Sequence, residues 1–370
     1  MLTLPDYPWN ALAPYLARAA EHEGGAVNLS IGTPVDPTPE IIMRALREGA
    51  NAPGYPTTHG TLAVREAVVD WFARRRDVHG LSSDDVMPTV GSKELVAWLP
   101  LLLGLGAGDL VVRPRVAYPT YDIGAQLAGA DSIAADSLAS LSDTDRARVK
   151  LVWVNSPGNP TGIIRGAEDL KALVDDARSL GAVVASDECY AELGWGEHEA
   201  GVPSILHESV SGSDHSDLLA VYSLSKQSNL AGYRAAFVAG APNLMPALIN
   251  NRKHAGMIVP APVQSAMVAA LNDDEHVKAQ KDAYRARREA LVPALGAFGL
   301  RIEDSVGGLY LWCTADEDCW QTIGRLADLG IVAGPGAFYG TAGERFVRIA
   351  LTESDERIAS AVDRLNAAAR

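Results

Sequence analysis

Residues 151–187 read LVWVNSPGNPTGIIRGAEDLKALVDDARSLGAVVASD. Two short apolar runs, LVWVN (151–155) and AVVAS (182–186), flank a stretch in which Leu170, Leu173, Val174 and Ala177 recur at helical spacing before Gly181. A continuous apolar run of this length fits a strand covered on both faces, and the amphipathic stretch between the two fits a crossover helix closed by glycine. Strand, helix and strand in this order make one βαβ unit.

Working outward, LVVR (110–113), LLAVY (218–222) and AAFVA (235–239) repeat the same pattern between about residues 85 and 240. This predicts an α/β architecture, a mostly parallel central sheet sandwiched by helices. Further on, residues 273–299 read as a long amphipathic helix ending or kinking at Pro293. LYLWC (309–313), IVA (331–333) and FVRIA (346–350) then read as short strands, with a closing helix from about Ser354, which predicts a smaller α+β domain. The expected division is an N-terminal arm with part of the small domain (1–40), a large domain (41–275) and a C-terminal small domain (276–370).

The chain has 370 residues, 48% hydrophobic and 21% charged, with a formal net charge of −14. That charge argues against nucleic acid, which is bound by cationic surfaces that release counterions. Cys189, Cys313 and Cys319 are odd in number and lack metal-ligand spacing, so free thiols are expected, and the eight histidines show no zinc-type spacing either. The first ten residues, MLTLPDYPWN, do not form the apolar run of a signal peptide, and the longest apolar window, from Leu95, is too short to span a bilayer. A cytoplasmic protein without a membrane or metal partner is the expectation.

In an open parallel sheet, ligands gather beyond the carboxyl ends of the strands. Asn155, Asp187 and Ser223 each end or follow one of the apolar runs, so three strands would deliver polar groups to one rim. Just beyond, SLSKQSNLAGYR (223–234) brings Lys226 together with Ser223, Ser225 and Arg234. A lysine amine can bond covalently to an aldehyde, while hydroxyls and an arginine can hold a phosphate. Taken alone, the stretch also reads as a solvated lysine in a polar loop. GLGAGDL (104–110) imitates a dinucleotide loop, but Asp109 replaces its last glycine, and the segment reads as a helix end and turn.

Eight motifs in order, IGTP (31), YPTTHG (55), GSKE (91), AYPTY (117), NSPGNPTG (155), SDECY (186), SLSKQSNLAGYR (223) and RIALTES (348), make the whole chain resemble the class I/II aminotransferases of fold type I, which depend on pyridoxal 5'-phosphate. The resemblance implies that Lys226 is the lysine that links to the cofactor aldehyde and shuttles the proton. Asp187 would keep the pyridine nitrogen protonated, Tyr190 and Asn159 would bond the ring oxygen, and Tyr118 would stack on the ring. The phosphate would lie among Ser92, Lys93, Ser223, Ser225 and Arg234, with Tyr55 reaching it from the neighbouring subunit of a homodimer. Arg348 would grip the substrate α-carboxylate, supported by Asn159 and the Gly32 backbone.

The activity implied by that resemblance is a ping-pong exchange between an amino acid and a 2-oxo acid, with glutamate and 2-oxoglutarate as the common pair. The N-terminal segment (4–39), APGYPTTHGT (52–61) and GSKELVAWLPLLLGL (91–105) further resemble the succinyldiaminopimelate aminotransferases of lysine biosynthesis in actinobacteria. That likeness implies N-succinyl-LL-2,6-diaminopimelate as the second partner, with Lys93 a candidate contact for its distal carboxylate. Aminotransferases for aspartate, alanine or aromatic substrates, and lyases that cleave a carbon–sulfur bond with the same lysine, aspartate and arginine, stay open.

Overall fold

The computed structural model describes residues 3–369. Its strands are β1 (Val27–Asn28), β2 (Val86–Val90), β3 (Leu110–Arg113), β4 (Asp131–Ala134), β5 (Val149–Asn155), β6 (Val183–Asp187), β7 (Leu218–Ser223), β8 (Ala235–Gly240), β9 (Arg301–Glu303), β10 (Tyr310–Thr314), β11 (Ile331–Val332), β12 (Gly334–Pro335) and β13 (Val347–Ala350). Strands β2 to β8 form one sheet in the order β2-β8-β7-β6-β5-β3-β4.

The pairs from β7 through β6, β5 and β3 to β4 are parallel, whereas β8 runs antiparallel to both β7 and β2. The run at 235–239 therefore belongs to the sheet but not to its parallel part. Only residues 224–234 separate β7 from β8, too few for a crossover helix, so the chain turns back along the neighbouring strand. The two edge strands escaped the sequence pattern: β2 contains Pro88, and β4 reads DSIA. β4 is partly exposed and so carries polar residues, while β2 is buried but, as an edge strand, tolerates a proline that a central strand would not.

Alternate residues of the central strands enter two separate cores. Val152, Val154, Val184, Ala220, Tyr222 and Phe237 pack on one face with Trp71, Phe72, Leu170 and Val174. Leu151, Trp153, Ala185, Leu219, Val221 and Val238 pack on the other with Leu95, Leu99 and Tyr121. This period of two on both faces is why the central runs are apolar throughout. Each large side chain so buried contributes roughly 1.5–3 kcal/mol, and their sum holds the rim of the sheet at fixed height.

A second, antiparallel sheet has the order β12-β13-β10-β9, and β1 pairs in parallel with β11. Its core includes Leu309, Leu311, Ile349 and Leu351, with Tyr284 and Leu291 from the long helix Glu275–Ala297. That helix does not break at Pro293 but runs four residues beyond it. The proline gives up its own ladder hydrogen bond, and burial of Leu291, Ala294 and Leu295 outweighs that loss. The closing helix, Asp355–Ala368, starts at Ser354, whose hydroxyl accepts from the Arg357 N–H. All three cysteines are buried and unpaired, and among the described residues no helix is long and apolar enough to cross a membrane.

Candidate active site

Asn155, Asp187 and Ser223 end β5, β6 and β7, and in register Asn155 lies directly beside Asp187. All three open into a cavity of about 350 Å³. Lys226, Tyr190, Ser92, Lys93, Tyr118, Asn159, Ser225, Arg234, Gly32 and Arg348 line the same cavity. Of the residues anticipated from the sequence, only Tyr55 is absent from it; its side chain stands fully exposed.

One wall is a ready cradle for an anion. Ser223 caps the short turn Leu224–Gln227, accepting from the Ser225 N–H at 3.2 Å and donating to the Ser225 hydroxyl at 2.8 Å. Opposite, the helix Ser92–Leu102 begins after Gly91, and its first residues, Ser92 and Lys93, line the cavity; the free N–H groups of a helix start suit an anion. Arg234 adopts a left-handed conformation (φ 56°), is tied to the Ala231 carbonyl at 2.8 Å, and lays its guanidinium against Gly91. A Cβ at Gly91 would overlap that guanidinium, and its φ of +79° is itself strained for any other residue. Gly91→Ala should therefore displace Arg234 and weaken binding of pyridoxal phosphate about tenfold or more, read by titrating the cofactor-free protein; an unchanged affinity would remove Arg234 from the cradle.

Asp187 accepts from the Tyr121 hydroxyl at 2.8 Å and from the Cys189 N–H at 3.2 Å. Burial nevertheless pushes its carboxyl above the ordinary aspartate value, because two neutral donors do not replace full hydration. Next in sequence, Glu188 forms a fully buried ion pair with Arg76 at 3.3 Å and accepts from the Ile205 N–H at 2.8 Å. The turn that follows Asp187 is thus fixed from behind.

Across the cavity, burial holds the Lys226 ammonium below the ordinary lysine value, and the cations of Arg348 and Arg234 push the same way. Its amine donates to the Gly32 carbonyl. A Cβ at Gly32 would overlap the Tyr310 hydroxyl, so glycine is what allows the backbone here to lie against that ring.

Arg348 sits on β13, only 3% exposed. It donates to Asn159 Oδ1 at 2.8 Å and to the Ser30 carbonyl at 2.5 Å, and its guanidinium lies 4.0 Å from the centre of the Tyr310 ring. Its Nε has no partner among the described residues. A buried arginine held by neutral oxygens, with one N–H unpaired, is built to take an anionic group. Asn155 ties the opposite side together, accepting from the Asn159 N–H at 2.7 Å and donating to the Asp187 carbonyl at 2.9 Å.

Several residues of this cavity were not anticipated. Tyr121 lies in the first turn of the helix Thr120–Ala128, just after the loop that carries Tyr118, and is fully buried. Tyr310 lies in an apolar strand whose pattern announces only burial; its hydroxyl meets that of Tyr190 at 3.3 Å. Burial pushes Tyr310 up, yet Arg348 and Lys226 together draw it below the ordinary tyrosine value. Tyr7 and Trp9 come from the N-terminal arm, stacked on each other at 5.2 Å.

A carboxylate at one end, an anion cradle at another and a partly buried amine between them fit pyridoxal phosphate: a ring nitrogen, a phosphate and an aldehyde would each find a partner. Comparison with known proteins agrees. The family described as Aminotransferase class I and II matches residues 25–365. The chain is 52% identical to the 4-dedimethylamino-4-oxo-anhydrotetracycline transaminase OxyQ of Streptomyces rimosus, over 99% of this chain and 100% of that one. It is also 52% identical to a probable aminotransferase of Mycobacterium tuberculosis, over 98% of this chain and 85% of the relative. Among solved structures, a probable N-succinyldiaminopimelate aminotransferase from Thermus thermophilus superposes with a TM-score of 0.87 at 28% identity, covering 98% of this chain and 100% of the other. The chain belongs to the class I and II aminotransferases, enzymes of fold type I that work with pyridoxal phosphate.

Proposed function

We propose that this aminotransferase moves the amino group of glutamate to a 2-oxo compound and back, in two half-reactions that share one site. The observation that carries this reading is the placement of the Lys226 amine in one cavity with the Asp187 carboxylate and the Arg348 guanidinium. Pyridoxal phosphate, when bound, supplies an aldehyde to take up the amino group and a ring that withdraws electrons from the adjacent carbon.

Lys226, whose proton is held loosely by its buried setting, removes and returns the proton at the substrate Cα. Arg348 takes the α-carboxylate in a fork, with Asn159 fixing its plane. Asp187 would hold the protonated ring nitrogen, the positive partner that its buried carboxyl lacks, and Tyr121 donates to the same carboxylate. Tyr190 and Asn159 would hold the ring oxygen, and Tyr118 would cover the ring face. Ser92, Ser223, Ser225 and Arg234 hold the phosphate, with the Lys93 backbone beside them. Tyr55 completes that cradle from a second copy of the chain, which would account for its full exposure here. In this reading the arm 1–40 and the segment 276–370 form a small domain, tied together by the pairing of β1 with β11, beside the body 41–275.

The partner opposite glutamate has two readings. A diaminopimelate-type acid, N-succinyl-LL-2,6-diaminopimelate, is supported by likeness to the Thermus protein. A larger ring ketone is supported by the name of the Streptomyces relative. Incubating the cofactor-loaded enzyme with isotopically labelled glutamate and each oxo compound tests the proposal. Label recovered in a new amine supports it. Release of ammonia and pyruvate from cysteine-type substrates, with no label transferred, points instead to a carbon–sulfur lyase.

A further inference from the structure

Beside the first cavity lies a second, of about 390 Å³, and the two share Tyr7, Trp9, Lys93 and Tyr118. The two cavities therefore adjoin at these four side chains. Its walls come from separate parts of the chain: the arm, the helix Ser92–Leu102 through Ala97, the helix Thr120–Ala128 through Ile123, and the loop that carries Phe338 and Tyr339.

The aromatic walls are already ordered against one another. Trp9 lies 5.2 Å from Phe338, 6.1 Å edge-on from Tyr339 and 6.5 Å from Tyr118, measured between ring centres. Rings held in this way offer flat surfaces to a flat guest.

Charge is distributed unevenly in the same space. Asp122 is engaged by Arg113 at 3.7 Å and by Gln126 at 2.8 Å, and Arg113 also donates to the Ser132 hydroxyl at 3.2 Å. Asp6 adds a further negative group to the wall. Lys93 alone has no acidic partner among the described residues; its ammonium sits 5.3 Å from the Tyr7 ring and 5.7 Å from the Tyr118 ring, at the junction of the two cavities. A side chain bearing several carboxylates would meet two aspartates and a single open cation. A flat aromatic body with one anionic oxygen would meet rings and that cation.

We propose, resting on the aminotransferase reading above, that the second cavity is the subsite for the amino-group partner opposite glutamate, and that it takes a flat aromatic or fused-ring body whose single anionic oxygen is met by Lys93. The subsite selects against a polycarboxylate of the diaminopimelate kind. Lys93 and the wall residues set specificity, while Lys226 and Arg348 serve every substrate alike.

The test is calorimetric binding of 3-hydroxy-2-naphthoate, a flat bicyclic anion, to the cofactor-loaded enzyme. Saturable binding is expected, weakened about tenfold or more by filling the cavity with Ile123→Trp or, from a different helix, Ala97→Phe. Two positions on two helices keep a failure to fold at one of them from deciding the outcome. Lys93→Met should weaken binding by a comparable factor and Lys93→Arg should retain it. No binding to the unsubstituted enzyme, or equal binding by both cavity-filling variants, would overturn the subsite, since a carboxylate held only at Arg348 ignores both. The cofactor spectrum of the unsubstituted enzyme with L-glutamate, recorded in parallel, reports on amino transfer independently of these affinities.

Discussion

Replacing Lys226 with alanine removes amino transfer, lowering kcat by about ten-thousand-fold, while pyridoxal phosphate still binds through the cradle of Ser92, Ser223, Ser225 and Arg234. The two effects separate because the phosphate contacts lie apart from the amine, which reaches across to the Gly32 carbonyl. Lys226→Arg should not rescue, since a guanidinium stays protonated at any accessible pH and cannot take the Cα proton. The pH profile carries a sign as well. Burial lowers the Lys226 value, so the neutral amine prevails at lower pH than for an exposed lysine. Reductive coupling of pyridoxal phosphate to cofactor-free protein should rise with pH and reach half its plateau below the ordinary lysine value. Peptide mapping should place the label on Lys226. Coupling spread over surface lysines would contradict its role.

Arg348→Gln should cost about a hundredfold to a thousandfold in kcat/KM for α-amino acids, most of it in KM, because a charge-assisted fork to a carboxylate is lost in a desolvated site. Two neutral acceptors, Asn159 Oδ1 and the Ser30 carbonyl, lose their donor at the same time, so some stability is lost with it. Arg348→Lys separates the contributions: it keeps the charge but not the planar fork, and it should recover part of the KM. Steady-state kinetics with glutamate and with an amine lacking the carboxylate decides the matter. Equal losses for both substrates would mean that Arg348 supports the fold and not the carboxylate.

The sheet was legible because its central strands are buried twice over, so LVWVN, AVVAS and LLAVY carry no polar alternation to confuse them. Its edges were not, since β2 is interrupted by Pro88, which an edge strand tolerates, and the polar DSIA is partly exposed. The reversal of β8 depends on the short link after Ser223, which the apolar run itself does not express. Site residues at strand ends, Asn155, Asp187 and Ser223, could be placed from position alone, whereas Lys226 and Arg234 needed the resemblance carried by all eight motifs, since their own stretch also reads as a polar loop.

Tyr310 could not be placed in the same way. Which face of LYLWC meets the amine depends on the pairing of β10 with β13, where Trp312 lies opposite Arg348. Tyr7 and Trp9 reach the site only because the arm folds back onto Phe338 and Tyr339, a contact between the two ends of the chain. Docking of this kind leaves almost no local signature.

The most direct measurement is the absorbance spectrum of the cofactor-loaded enzyme before and after L-glutamate is added without any acceptor. The expected result is conversion of the aldehyde form of the cofactor to its amine form, with one equivalent of 2-oxoglutarate produced per site. A spectrum that does not change, with glutamate recovered intact, would contradict glutamate as the amino donor and with it the exchange proposed for Lys226, Asp187 and Arg348.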